Sequence, residues 1–286
     1  MIQLNPFYFS GGASSFAAYI NVTYPTGATV ILNGQTATGS PYIYTVNAAG
    51  TYTVLMSLNG KTESHSVVIT TDGQTELLDL SFDKTTFTGI QRILDFHEEA
   101  NLLSAGDQIY TEIDGVTTLF LIGSVNLYSD HEVLFTSNTN NMNRAYNTSQ
   151  SNAGGWSASA LRTYLNNTYK DLLPDEIKNN LKTFEMKSGA GNSNSVNTSY
   201  DDIFLPREKE VFGTITYGAT GEGAFCEQWD LFKTVNGRQK DFYWKTASAF
   251  RSDTYDYVYV SSSGTVAGVD ALAAWGTAIS FMFKAN

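Results

Sequence analysis

Two Asn-Gly pairs between short apolar runs constrain the fold of the N-terminal part of this chain more than any other feature. Asn33-Gly34 and Asn59-Gly60 each separate runs in which apolar and polar residues alternate. Asn-Gly favours a tight hairpin turn because both residues adopt positive φ at little cost. About six short strands separated by such turns predict a small all-β sandwich over residues 18–83.

Two other segments flank this region. Residues 1–17 form a lead-in that contains the aromatic cluster Phe7-Tyr8-Phe9 before a Gly/Ser-rich stretch. Because such a cluster is costly to leave in water, we expect it either to dock on a partner or neighbouring subunit or to form a floppy start. Residues 84–103 are interpreted as a joining segment that contains a short helix.

Residues 104–286 predict an α+β domain with two helices. Ser157 is a helix N-cap before an apolar face with i, i+3, i+4 spacing that starts at Leu161. Pro174, followed by two acidic residues, opens the second helix, because proline suits its first position and carboxylates suit its positive end. The segment Ser188–Tyr200, which is mostly Ser, Asn, Gly and Thr, predicts an irregular loop.

Composition and charge argue against several classes of function. Charged residues make up 16% of the chain, below the roughly 25% of an average globular protein, and aromatic residues make up 13%. The net charge of −11, without a basic run, argues against a nucleic-acid partner. Since no apolar stretch approaches the ~18 residues of a membrane span and the start lacks a signal-peptide pattern, we expect neither membrane insertion nor general secretion.

The polar residues do not predict a catalytic site. His65, His97 and His131 lie far apart in sequence, and none has the spacing of a zinc-protease helix. The segment Gly218–Gly223 lacks the lysine of a phosphate-binding loop. Cys226 is the single cysteine and has no histidine near it in the chain, so we interpret it as a small core residue.

Part of the predicted sandwich resembles a known type of module. Pro25–Val30 with Asn33-Gly34, and then Ala49–Val54, resemble PEGA-type and related immunoglobulin-like surface modules over about 60 residues. Such modules usually act as spacers. The resemblance therefore implies a spacer role for residues 18–83.

Three motifs in residues 104–286 have the order and spacing of another family. They are Gly155–Asn166, Ile203–Gly213, and Phe242–Thr246 followed by Val258–Val266. Together they resemble an uncharacterised domain family of gut bacteria and their phages. That family is similar to the C-type-lectin-like fold of formylglycine-generating enzymes and of the variable proteins of diversity-generating retroelements. The resemblance implies a C-type-lectin-like ligand-binding domain.

The sequence also departs from the patterns of these relatives. Lys245-Thr246 stands where the family usually has Leu-Arg-Ser, and Gly276–Ile279 stands where it often has Gly-Val-Arg-Pro. The related enzymes use a pair of cysteines that this chain lacks, so we expect no enzyme activity. The signatures of calcium-dependent sugar binding are absent, and for Asp201-Asp202 and the pair Glu227 and Asp230 we expect solvated or capping roles. We therefore expect no cofactor, with calcium as an alternative that has no positive support.

The stretch from Ala247 to Trp275 corresponds to the part that varies in retroelement-diversified relatives. Tyr255, Tyr257 and Tyr259 alternate with other residues, so a strand would place all three on one face. These tyrosines either form an exposed binding face, as in antibody paratopes, or pack on a neighbouring sheet, and the resemblance favours the exposed face. The predicted ligand-binding residues are Tyr243, Phe250, Arg251, Asp253, Tyr255, Tyr257, Tyr259, Ser261, Asp270 and Trp275.

The resemblance implies a phage or cell-surface adhesin that binds a host-cell surface protein or glycan non-covalently through this face. The expected location is a virion tail or surface, or the extracellular space. The expected partners are other virion or tail proteins and further copies of the chain, with a trimer as the expected homo-oligomer. Two alternatives stay open: a capsid or tail decoration protein without a receptor, and a degenerate enzyme of the formylglycine-generating-enzyme-like fold. Diversification of this chain by a retroelement also stays open.

Overall fold

The computed structural model describes residues 16–286, which divide into two compact units. The first unit ends at Phe82, and the second runs from Asp83 to Asn286. The docking expected for Phe7-Tyr8-Phe9 lies outside the described residues. The described chain is mostly β-sheet with few helices, so the predicted β-rich class is confirmed.

The described part of the first unit contains seven strands in two sheets. These are β1 (Ala18–Thr23), β2 (Thr29–Leu32), β3 (Gln35–Thr36), β4 (Tyr42–Val46), β5 (Gly50–Leu58), β6 (Lys61–Ile69) and β7 (Thr75–Asp79). One sheet has the order β4–β1–β7, with β1 antiparallel to β4 and parallel to β7. The other has the order β3–β2–β5–β6 and is antiparallel throughout.

Both Asn-Gly turns are confirmed in this unit. Asn33 and Gly34 have φ of 50° and 80°, and they join β2 to β3. Asn59 and Gly60 have φ of 49° and 78°, and they join β5 to β6. Alternate residues of the strands are buried, and the buried Tyr44 hydroxyl donates to the Val30 carbonyl at 2.9 Å, which links the two sheets. The two sheets therefore share one core.

The second unit contains nine strands and seven short α-helices. The strands are β8 (Gln108–Ile113), β9 (Val116–Val125), β10 (Glu132–Ser137), β11 (Phe184–Gly189), β12 (Val196–Asp201), β13 (Trp244–Ala249), β14 (Asp256–Val260), β15 (Val266–Asp270) and β16 (Ser280–Lys284). The helices are α1 (Phe87–Asp95), α2 (Glu99–Leu102), α3 (Gly155–Ala158), α4 (Ala160–Asn167), α5 (Asp175–Lys178), α6 (Glu208–Phe212) and α7 (Val235–Arg238). Three 3-10 helices cover Tyr169–Leu172, Thr220–Ala224 and Asp230–Lys233.

A four-stranded antiparallel sheet with the order β16–β10–β9–β8 carries the main core of this unit. The ring of Phe87 on α1 lies with its centroid 5.4–5.8 Å from those of four phenylalanines on that sheet, Phe120, Phe135, Phe281 and Phe283. All five side chains are fully buried. The segment 84–103 therefore differs from the predicted joining segment, because its first helix completes the core of the second unit.

The prediction of an irregular loop over Ser188–Tyr200 is wrong for the two ends of this segment, which belong to β11 and β12. The strands β11 and β12 pair antiparallel in register from Phe184 with Asp201 to Gly189 with Val196. Strand pairing uses backbone groups, so a run of Ser, Asn and Thr forms a ladder when a neighbouring surface covers one of its faces. Ser188 and Ser199 are buried accordingly.

The two predicted helices exist as α4 and α5, but the N-cap of the first lies two residues later than predicted. Ser159, not Ser157, accepts the backbone N–H of Arg162 at 3.1 Å. The residues before it form the separate turn α3, in which the Trp156 side chain is fully buried. The helix α5 follows Pro174 as predicted and is a single turn.

Candidate functional site

The candidate site lies on the antiparallel sheet β13–β14–β15, where several predicted residues converge. Tyr257 and Tyr259 lie two residues apart on β14, so their side chains leave the same face of the sheet. Lys245 on β13 pairs with Tyr259, and Tyr243 precedes Lys245 by two residues. One face therefore carries aromatic residues from two neighbouring segments. The rest of the unit buries this face at Tyr257 and leaves it partly exposed at Tyr259 and Tyr243.

Three aromatic side chains meet at the exposed part of this face, and we call them the aromatic triad: Tyr243, Tyr259 and Trp275. The ring centroids of Tyr243 and Trp275 are 5.3 Å apart with an interplanar angle of 33°. Tyr259 meets Trp275 edge-on at 4.8 Å and Tyr243 edge-on at 5.8 Å. Tyr243 is 48% exposed, Trp275 is 36% exposed and Tyr259 is half-buried. The triad thus presents ring surface to solvent in a fixed arrangement.

A groove of about 310 Å³ adjoins the triad. It is lined by Asn140, Asn143, Phe242, Tyr243, Ala274, Trp275 and Gly276. These side chains include no carboxylate, ammonium, guanidinium or imidazole group. The Asn140 side-chain amide donates to the Asn143 side-chain oxygen at 2.9 Å. The groove therefore combines aromatic rings with amide groups and carries no charged side chain in its lining.

Gly276 holds the three segments of this groove together. It forms backbone bridges with Asn143 and with Trp244. A Cβ atom at position 276 would lie 2.3 Å from Phe242 Cδ2 and 2.8 Å from the Tyr243 carbonyl oxygen. Only glycine permits this close approach, so the groove depends on Gly276.

A buried lysine supports the triad from below. The Lys245 ammonium group donates to the carbonyl oxygen of Trp275 at 2.7 Å, and it lies 5.4 Å from the centroid of the Tyr146 ring. The Lys245 side chain is fully buried, and burial lowers its pKa to about 7. This hydrogen bond holds the backbone of Trp275 against β13. Lys245 is also the residue of β13 that lies opposite Tyr259 on β14, so it contacts the segments of two triad residues.

Two residues predicted for the binding face, Tyr257 and Phe250, are core residues, so for them the prediction is wrong. Tyr257 is fully buried because the ring of Tyr146 stacks on it, with centroids 3.9 Å apart and planes at 7°. Its hydroxyl donates to the Gly155 carbonyl at 3.1 Å. Phe250 is 8% exposed and stacks on Tyr217 at 4.7 Å. In both cases an aromatic residue distant in sequence covers the ring.

The remaining predicted residues do not line the groove: four lie in loops or bends, and Asp270 is the last residue of β15. They are Arg251, Asp253, Tyr255, Ser261 and Asp270. Arg251 donates to a backbone carbonyl at 2.7 Å, and Asp253 accepts two backbone N–H groups at 2.8 and 3.0 Å. Ser261 accepts a backbone N–H at 3.1 Å, and Asp270 accepts one at 2.7 Å. Tyr255 is 43% exposed but precedes β14, so the predicted three-tyrosine strand face is shorter than expected.

A buried ion pair lies in the motif Ile203–Gly213. The Arg207 guanidinium donates to both carboxylate oxygens of Glu210, at 3.1 and 2.7 Å, and both side chains are fully buried. Glu210 also accepts the Arg207 backbone N–H at 2.6 Å and the Tyr128 hydroxyl. Burial, and then the charge of Glu210, raise the pKa of Tyr128. Three of the four consecutive charged residues 207–210 thus lie in the interior, which their charge alone would not predict.

Two further buried carboxylates, Glu208 and Glu222, lie close to this pair in the chain. Glu208 accepts the backbone N–H groups of residues 216–218, at 2.7–3.2 Å. Glu222 accepts the Gly189 N–H and the Ser248 hydroxyl, both at 2.5 Å. Burial raises the pKa of Glu222 to about 7, against the lowering effect of these two hydrogen bonds. Because both carboxylates are fully buried and bonded to the protein itself, they stabilise loops.

The four carboxylates for which solvated or capping roles were expected all have cationic partners. Their ion pairs are Asp201 with Arg162 (2.5 Å), Asp202 with Lys170 (2.5 Å), Glu227 with Lys209 (3.7 Å) and Asp230 with Lys233 (2.6 Å). Asp201 is fully buried, so a solvated role is wrong for it. Across residues 16–286, no group of three or more His, Cys, Asp or Glu side chains is placed to hold a metal ion.

The histidines lie in separate places. His65 lies on β6 of the first unit, whereas the rings of His97 and His131 stack 3.7 Å apart in the second. The Nδ1 atom of His131 lies 2.9 Å from a carboxylate oxygen of Glu99.

Over the range that the structure describes, no helix has both the length and the apolar character that crossing a membrane requires.

Two features of the site were not predicted from sequence: the asparagine side chains of the groove, and the tyrosine ring that buries Tyr257. Asn140 and Asn143 belong to a run, 138–143, in which four of six residues are asparagine, and such a run is typical of a loop. Tyr146, which covers Tyr257, lies three residues after the end of this run. The only sequence signal for Asn140, Asn143 and Tyr146 was their position shortly before the first motif at Gly155. That position does not indicate which strands they pack against.

Comparison with known proteins gives one family. A family model described as a domain of unknown function, DUF6273, matches residues 129–276. The matched range is just over half of the chain, and it extends from the turn before β10 to Gly276 in the groove. No curated protein matches the chain.

Proposed function

The chain belongs to the DUF6273 family, and from that premise we propose that it is an adhesin that binds a host-surface ligand non-covalently through the aromatic triad and its groove. The observation that carries this proposal is the meeting of Tyr243, Tyr259 and Trp275 at the surface. Three segments of the chain contribute to this contact, and large aromatic side chains are enriched in binding sites.

Exposure alone does not distinguish these three rings, because single exposed apolar residues are common on protein surfaces. The triad differs from these because its rings contact each other and rest on fixed supports. Lys245 holds the backbone of Trp275, and the bridges of Gly276 hold the loops on both sides. A ligand that binds here would meet rings already in position, and it would lose little affinity to their ordering.

The finer fold is part of the proposal. We infer a C-type-lectin-like arrangement for the second unit and a PEGA-like or immunoglobulin-like spacer for the first. The motif Gly155–Asn166 contributes α3 and α4, and Ile203–Gly213 contributes α6. Trp156 and Trp244, which lie inside the motifs, are fully buried, as expected for residues that specify a core.

Diversification by a retroelement is compatible with only part of the stretch from Ala247 to Trp275. All of β13 is buried, and so are Tyr257, Val258 and Val260 on β14. Variation at these positions would disturb the core. We infer that any diversified positions would be the exposed ones around Tyr259 and Trp275.

The setting that we propose is a virion tail or an extracellular surface, with other virion proteins and copies of the chain as partners. The trimer, the decoration-protein alternative and the degenerate-enzyme alternative stay predictions.

Binding of the labelled full chain to a panel of intact gut bacterial strains, measured by flow cytometry, tests the proposal. The double variant Tyr243→Ala/Trp275→Ala should lose roughly thirtyfold in affinity, the size of effect expected when hot-spot residues are removed. Tyr110→Ala is the matched control, because Tyr110 is 61% exposed on β8 of the same unit and does not line the groove. Equal binding by wild type and double variant, or no binding of the wild type to any strain, would contradict the proposal.

A further inference from the structure

We infer that the groove beside the aromatic triad takes an uncharged saccharide, which it binds without a metal ion. This inference rests on the proposed function and names the class of ligand for the same site. It depends on three features of the described residues: the charge of the lining, the free hydrogen-bonding groups and the orientation of the rings.

The lining of the groove argues for a neutral ligand. The polar side-chain groups of the lining are the amides of Asn140 and Asn143, the Tyr243 hydroxyl and the Trp275 indole N–H, and none of the lining side chains carries a carboxylate or a cationic group. The nearest cation in the sheet, Lys245, is fully buried and donates to the Trp275 carbonyl. A charged ligand would lose hydration on entering without gaining an opposite charge, and this cost selects against it.

Free hydrogen-bonding groups surround the rings. Asn143 uses its side-chain oxygen to accept from Asn140, and among residues 16–286 nothing accepts from its amide nitrogen. The hydroxyls of Tyr243 and Tyr259 likewise have no hydrogen-bond partner among the described residues. The Asn143 amide and the Tyr243 hydroxyl, which both line the groove, can therefore exchange water for the hydroxyl groups of a ligand, and a few such polar groups suffice to orient a small molecule in a site.

The ring arrangement favours a ligand with an apolar face. Tyr243 and Trp275 are tilted by 33° to each other, and Tyr259 stands edge-on to both at 82°. The first two rings thus form adjoining walls, and the third supports them. A pyranose ring has a face of C–H groups for such a wall and a rim of hydroxyls for the amide and phenol groups. A purely apolar ligand would leave those polar groups unpaired.

The size of the groove limits how much of a glycan it contacts. A volume of about 310 Å³ lies at the lower end of the range of small-molecule sites, roughly 300–1,000 Å³. It suits one or two sugar rings of a larger surface glycan. Affinity for a single ring should consequently be weak, and several copies of the chain on one particle would strengthen attachment through multivalency.

Saturation-transfer NMR on the full chain tests the inference directly. The probes are methyl β-D-galactopyranoside, methyl α-D-glucopyranoside, methyl α-D-mannopyranoside and N-acetyl-D-glucosamine, with N-acetylneuraminic acid as the charged comparison. We expect transfer to the ring C–H protons of at least one neutral probe and none to the charged one. Trp275→Ala should abolish the transfer, and Tyr110→Ala should leave it unchanged.

A second measurement separates this inference from the proposed function. Periodate oxidation of the bacterial surface should abolish the triad-dependent binding of the chain, whereas protease treatment should leave it intact. If binding depends on Tyr243 and Trp275 but survives periodate and is lost with protease, the ligand is a protein, so the saccharide inference fails and the adhesin proposal stands. If transfer from neutral probes persists in Trp275→Ala, or no probe receives transfer, the inference is overturned. If cell binding ignores the double variant, the proposed function itself fails.

Discussion

Tyr257 and Tyr259 lie two residues apart on the same face of β14, yet one is a core residue and the other belongs to the surface triad. Tyr257 is fully buried under Tyr146, a residue more than a hundred positions earlier in the chain. Tyr259 is half-buried, and the two rings that meet it, Tyr243 and Trp275, are themselves exposed. The alternation of side chains determines which face a residue occupies, whereas a distant segment determines whether that face is covered.

The same difference is visible in the hydroxyl groups. The Tyr257 hydroxyl donates to the Gly155 carbonyl at 3.1 Å, and burial raises its pKa to about 12. The Tyr259 hydroxyl has no such partner among the described residues. Of two chemically identical residues, one therefore lies in the core, and for the other we propose a role in binding. Separate substitutions can test whether these two roles are distinct.

The largest effect expected is on the stability of Tyr257→Ala. Removal of this buried ring should lower the free energy of unfolding of the second unit by about 3–5 kcal/mol, because it leaves a cavity and exposes the face of Tyr146. Tyr259→Ala should cost no more than about 1 kcal/mol while weakening ligand binding. Urea unfolding followed by tryptophan emission measures this, since all four tryptophans lie in residues 83–286 and report only on the second unit.

Similar destabilisation by both substitutions would remove the distinction between the two tyrosines. It would mean that the triad is part of the core, and the candidate site would then lie elsewhere. Tyr110→Ala, at a tyrosine that is 61% exposed, sets the size of a surface effect in the same assay.

The parts of the fold that could be predicted from sequence are those with local causes. The Asn-Gly turns follow from the conformational preferences of two adjacent residues, and α5 begins after Pro174 for a similar reason. The hairpin β11–β12 could not be predicted, because its Ser and Asn residues form strands only when the rest of the unit covers them. The helix cap shifted from Ser157 to Ser159 because α3 is a separate turn.

The candidate site divides in the same way. Tyr243, Tyr259 and Trp275 could be named from residue type, and they meet at the surface. The prediction was wrong for Phe250 and Tyr257, because each is buried by an aromatic ring from another segment of the chain. These rings are Tyr217 and Tyr146, respectively. Burial of this kind is a property of tertiary contacts, which a single sequence does not encode locally. The amides of the groove were missed for the same reason.

A smaller effect is expected at Gly276, which joins the surface groove to the interior. Gly276→Ala would place a methyl group 2.3 Å from Phe242, so Phe242 or the backbone of Tyr243 must move. Overpacking of this kind costs about 1–3 kcal/mol, and we expect loss of ligand binding together with a lower urea midpoint. Leu272→Ala, at a position of the same loop that is 47% exposed and does not line the groove, is the control and should change neither. Retained binding in Gly276→Ala would show that the groove does not need this close approach.

The smallest effect is a change in the pH dependence of stability at Lys245, which pairs through its strand with Tyr259. Burial lowers its pKa to about 7 in the folded state from an ordinary value of 10.5. Between these two values the unfolded chain binds more protons than the folded one, so this group makes stability rise with pH above 7 and lowers it as pH falls towards 7. Lys245→Met should remove a rise of about 1 kcal/mol between pH 7 and 8, measured as the difference in unfolding free energy between wild type and variant at each pH. Because other titrating groups are common to both proteins, they cancel in that difference. An unchanged difference across this range would mean that Lys245 keeps its proton and that the base of the triad is more hydrated than its full burial implies.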